Sequence, residues 1–198
     1  MAEIKESIEV KNLAELHDWL TKNESRSTGV WLIRHKAGST GGEYFSYSDM
    51  VDELLCFGWI DSLPRKLDDE RAMNWISPRK AKSAWSKINK EKIEKLSSQG
   101  RLTPTAIAQI VQAKKQGTWD KLSEIEEGII PVDLITELDK YENAKSNFDG
   151  FPKSVKKSIL EWIIQAKTEE TRKKRVIETA EKASRNIRAN QWRDGKIT

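Results

Sequence analysis

The chain has 198 residues, 35 of them Lys or Arg against 31 Asp or Glu, for a formal net charge of +4. That length suffices for one cored domain or a domain with an appendage, and eight tryptophans in a 37% hydrophobic chain exclude a disordered polymer. The single cysteine, Cys56, excludes an internal disulfide and a multi-cysteine zinc site, while the absence of a membrane-length apolar run and of an apolar signal core in MAEIKESIEV leads us to expect a cytoplasmic protein.

The elements follow from hydrophobic spacing and terminal residues. Leu13, Leu16, Trp19 and Leu20 recur at helical intervals and predict an amphipathic helix over 12–22. Val30–Ile33 opens a buried strand ending near Lys36, and the glycine-rich stretch 37–42 is a turn. Ser46 with Asp49 has the form of a capping box, before a helix that carries Met50, Val51, Leu54 and Leu55 and is released at Gly58. Two further strands, 59–63 and 71–76, are expected to pair antiparallel around 64–70, which Pro64 and the charges mark as a connection. Asn89 is expected to cap a helix ended by Gly100. Thr103-Pro104 opens one running to Gln116. After a loop near 119–130, Pro131 and Pro152 each open a helix, the second with the stripe Val155, Ile159, Trp162, Ile163 and Ala166. Thr168 caps the last, whose apolar face is Val176, Ile177, Ala180 and Ala183.

The expected fold is therefore α+β. A small antiparallel sheet packs with helices in a domain over 1–120, an all-helical domain follows over 128–188, and 189–198 forms a flexible tail. Charge alternates along it: 43–70 sums to −6, 77–95 to +5, 120–149 to −6 and 167–193 to +5. Such blocks can neutralise one another in the fold or face an external polyanion.

Chemistry-bearing patterns are few. His17 and His35 have no acid or nucleophile at a recognised spacing, and Cys56 between Leu55 and Phe57 reads as a buried, inert thiol. Lys36 to Gly42 lacks the phosphate-loop spacing, and Asp68, Asp69 and Glu70 lack that of a calcium loop. No metal or cofactor is expected.

The segment 59–89 differs. Trp59, Trp75 and Trp85 interleave with Arg65, Lys66, Arg71, Arg79, Lys80, Lys82 and Lys87. Flat rings beside cations can stack bases and pair with phosphates, or the rings fill a core while the lysines stay in water. The connection 77–89, starting Ser77-Pro78-Arg79-Lys80, is the exposed part expected to offer donors to an anionic group.

Cys56-Phe-Gly-Trp-Ile-Asp61, Ser77-Pro-Arg79 and Trp85-Ser-Lys-Ile-Asn89 in the front half carry a family resemblance. So do Trp162-Ile163, Ala166-Lys167, Glu170-Thr171-Arg172 and Arg175 in the back half. In both halves the chain resembles the YdeI/OmpD-associated proteins. The resemblance implies a frataxin-like (YjbR/CyaY-like) front half, a suggested role in bacteriocin protection and no assigned active site.

Three readings stand at this level. The first is a non-enzymatic binding or adaptor protein for an anionic ligand, an acidic protein surface or nucleic acid. It uses Trp59, Arg65, Trp75, Arg79, Lys80, Trp85, Lys87 and Asn89. The second is an enzyme on a small anionic substrate, with Asp61 as acid/base and Arg79 and Lys87 orienting the substrate. The third is a structural partner protein docking through the stripes at 155–166 or 176–183.

Overall fold

A computed structural model describes residues 6–190. The chain divides between Lys121 and Leu122 into two compact units.

The first unit begins with strand β1 (Ser7–Val10), then helix α1 (Leu13–Lys22) and strand β2 (Val30–His35). Asn12 starts α1 by accepting the Glu15 N–H through its side chain at 2.9 Å. Helix α2 (Tyr47–Cys56) follows, with a complete capping box. The Ser46 hydroxyl accepts the Asp49 N–H, and the Asp49 carboxylate accepts the Ser46 N–H. Strands β3 (Trp59–Lys66) and β4 (Arg71–Pro78) form a hairpin, and helices α3 (Lys87–Ser98) and α4 (Pro104–Lys115) complete the unit.

The sheet order is β1-β2-β4-β3, with β1 parallel to β2 and both other pairings antiparallel. The sheet is thus mixed. The expected antiparallel sheet lacked β1, which α1 makes possible by carrying the chain back to start β2 in the same direction. Four residues with one buried side chain give too short a pattern to read as a strand.

β3 also runs further than expected, through Pro64, Arg65 and Lys66. As an edge strand it tolerates a residue without an N–H, and the register shifts between Ser62 and Pro64, where exposed Leu63 is passed over. A third correction concerns α3. Ser86, not Asn89, is its N-cap, and the Asn89 N–H donates to the Ser86 hydroxyl.

Leu16, Leu20, Leu32, Met50, Leu54, Leu55, Trp59, Ile76 and Leu96 lie in the first core. Two backbone hydrogen bonds join distant segments at the end of α2. The Thr103 N–H donates to the Cys56 carbonyl, and the Arg79 N–H donates to the Gly58 carbonyl, each at 2.9 Å.

The second unit is helical among its described residues: α5 (Ser123–Glu126), α6 (Val132–Leu138), α7 (Ala144–Gly150), α8 (Lys153–Ile164) and α9 (Glu169–Ser184). α5 and α7 were not anticipated; at four and seven residues they hold too few turns to show a stripe. Its core joins Leu134, Leu138, Phe148, Ile159, Ile163, Val176, Ala180 and Ala183. Within the stripes of α8 and α9, Ile159, Ile163, Val176, Ala180 and Ala183 are buried, while Val155, Trp162, Ala166 and Ile177 are half-buried. Arg175 stacks over Trp162 at 4.9 Å and donates to the Trp162 carbonyl. Ala189 is buried, and 191–198 of the expected tail lie outside the described residues.

Candidate anion site

Where β4 ends, the chain turns away from the sheet at Pro78, and the bond from the Arg79 N–H to the Gly58 carbonyl fixes the direction of that turn. The Arg79 side chain points inward and is only 7% exposed, despite the expectation of a solvated loop. Its guanidinium carbon lies 3.6 Å from the centre of the Trp85 ring, a stacked cation–π contact. Its Nη2 donates to the Ala84 carbonyl five residues on. Trp85 itself is 2% exposed and backed by Trp119, with ring centres 5.0 Å apart.

The rest of this guanidinium is unsatisfied. Nε and Nη1 of Arg79 are buried without a hydrogen-bond partner. Burial, with no carboxylate among the described residues to offset it, pushes the group down to about 10, so it is still charged at neutral pH. An orphaned buried donor costs about 1–3 kcal/mol, and more when it is charged. The stacking on Trp85 returns only part of this, roughly 2 kcal/mol for a desolvated cation.

Arg79 also lines a cavity of about 100 Å³ together with Lys80, Ala81, Trp85 and, from α4, Gln109 and Gln112. Gln109 brings a second orphan, since its Oε1 is buried without a partner. Gly58 explains how Gln109 comes so close. It has φ +72°, and a β-carbon there would lie 2.6 Å from Gln109 Oε1, so the position admits no other side chain without rearrangement. The turn at 80–82 that borders the cavity is exposed.

Of the residues singled out in the sequence, the fold brings Arg79, Lys80 and Trp85 together. Trp59 is elsewhere, buried at 1% exposure and edge-on to Trp19 at 5.5 Å, so it offers no free face. Arg65 and Trp75 belong to another group. Arg65 lies 4.7 Å over Trp31, and Trp75 meets Trp31 edge-on. Lys87 and Asn89 occupy the first turn of α3. Asp61 accepts the Tyr47 hydroxyl at 2.8 Å and is absent from the cavity lining, while burial and this bond push Tyr47 up to about 12. Gln109 and Gly58 were missed as site residues. A glutamine in a polar helical stretch carries no local signal, whereas the positive φ of Gly58 was legible as a helix terminator.

The other candidates resolve into structural roles. His17 Nδ1 is 2.6 Å from buried Glu53, which also accepts from Arg101 at 2.7 Å, so the His17 ring is engaged by a carboxylate rather than by Cys56. Asp68 accepts the Arg71 backbone and guanidinium N–H groups, which hold its carboxyl below the usual range, and closes the hairpin tip. Among the described residues no group of three or more His, Cys, Asp or Glu is placed to hold a metal ion, and no helix is long and apolar enough to cross a membrane.

Comparison with known proteins divides the chain in a similar way. Residues 8–109, just over half of it, match the family described as a domain of unknown function (DUF8412). Residues 127–186 match the family described as bacteriocin-protection, YdeI or OmpD-associated. The YdeI-like resemblance thus holds over the back half, and the front-half match carries no frataxin-like grouping. No match was found among curated proteins or among solved structures.

Proposed function

The chain belongs to the DUF8412 family through its front half, and we propose that this half is a binding module whose Arg79 cavity takes a small anionic group. One observation carries the reading: a buried, charged guanidinium with two unpartnered nitrogens and, among the described residues, no compensating carboxylate. Proteins rarely keep such a group unless something else completes it. An oxyanion would accept from Nε and Nη1, neutralise the charge and leave the stacking on Trp85 intact. The cavity of about 100 Å³ has room for roughly three waters at ~30 Å³ each, which suits one anionic group rather than a nucleotide. Buried Trp59 and Trp85 present no face on which a base could stack.

The test is thermal unfolding in sodium phosphate against sodium chloride at matched ionic strength. A ligand at a hundredfold over its dissociation constant should stabilise the protein by about 2.7 kcal/mol. Arg79→Met should abolish that rise. In chloride alone the variant should unfold no earlier than the parent, because a hydrophobic side chain replaces an uncompensated charge. If phosphate raises the midpoint of both proteins equally, the site is not at Arg79.

A further inference from the structure

The orphan atoms at this cavity are of two kinds, and together they constrain the ligand more than a positive charge alone would. Arg79 supplies donors at Nε and Nη1, while Gln109 supplies an acceptor at Oε1. From this pairing, and resting on the anion-binding reading above, we propose that the cavity selects an oxyanion that still carries a proton: hydrogen phosphate over sulfate.

Three features hold the acceptor and donors in place. The Arg79 guanidinium cannot swing freely, because Nη2 is bonded to the Ala84 carbonyl and one face lies on Trp85. Gln109 is packed against the bare α-carbon of Gly58, where the space of a β-carbon is filled by its amide group. Gly58 in turn holds the Arg79 backbone through its carbonyl. The same residue therefore sets the positions of both the donors and the acceptor.

Phosphate and sulfate share a tetrahedral shape and similar size, but near about pH 7 phosphate keeps at least one P–O–H while sulfate has none. Oxygens of either ion can accept from Arg79. Only the phosphate can also donate to Gln109 Oε1. With sulfate, that carbonyl oxygen would stay unpaired and face a second lone pair, and a buried group left without its partner is what lets polar sites reject close analogues. The orphan atoms are buried, so binding requires the exposed turn at 80–82 to open.

The experiment is isothermal titration of the full chain with sodium phosphate and, separately, with sodium sulfate, at about pH 7 and constant ionic strength. Phosphate should bind at least roughly tenfold more tightly than sulfate. Gln109→Met should weaken phosphate to the sulfate level and leave sulfate no weaker. The ratio measured on the unaltered protein decides the matter even if that variant does not fold. Equal binding of the two ions, or a preference for sulfate (an amide presenting its NH₂ to the ion), overturns the selection and leaves the anion site standing. Binding of neither overturns both.

Discussion

At the scale of single residues, burial decides what each reactive group can do. Cys56 lies at the end of α2 among core side chains, and burial pushes its thiol up to about 11 from 9.0. A raised acid favours the neutral form in the folded state, so this contribution to stability is complete below 9.0 and is lost as pH rises through 11. We expect iodoacetamide to modify Cys56 slowly in the native protein and quickly in urea at about pH 8.5, near the free-thiol value. Equal rates in the two conditions would show that the thiol is accessible. Arg79 meets the same physics with the opposite charge, and it remains protonated because deprotonation lies well above neutrality. Its cost to the fold explains why a ligand should matter there.

Among the elements, Glu53 ties three segments of the first unit. It extends from α2, is 3% exposed, and receives His17 of α1 and Arg101 from the connection between α3 and α4. His17 and Arg101 have side chains 57% and 41% exposed, so either recovers water if the carboxylate is removed. Glu53 cannot do the same. We therefore expect Arg101→Ala to cost up to about 3 kcal/mol, because it leaves a buried charge with one partner. Glu53→Gln should cost less. Urea unfolding of the two variants checks the order, and a larger loss in Glu53→Gln would show that the partners, not the buried acid, carry the penalty.

On the scale of the whole molecule, every residue assigned to the anion cavity falls in the first compact unit, which ends at Lys121. Among the described residues that unit has its own buried core, from Val10 to Ala113. A fragment of residues 1–121 should accordingly fold and keep the stabilisation by phosphate seen in the full chain. A fragment that folds cooperatively but loses the response would place part of the site in the second unit. The charge blocks fit this division only loosely. The basic block at 77–95 contains the buried Arg79, and Lys92 in α3 pairs with Asp52 of the acidic block, so part of the alternation is neutralised inside the unit.

What the sequence determined alone were the features set by neighbours along the chain. Ser46 with Asp49, Thr103 with Pro104, and Thr168 each mark a helix start because a short side chain reaches an N–H three residues on. The basic and aromatic character of Arg79, Lys80 and Trp85 was equally plain. The tertiary structure decided whatever depends on partners far away. β1 is a strand only because β2 pairs with it, and Pro64 is tolerated only because β3 is an edge. Ser86 rather than Asn89 is the cap of α3, by the same local bond, with the Asn89 N–H donating to the Ser86 hydroxyl. Arg79 was expected in water and is buried, since two contacts to the end of α2 fold the 79–85 turn and α4 around it. Gln109 acquired its role in the same way. Arg79, Trp85 and Gln109 line one cavity only because separate segments converge, and no single segment encodes that convergence.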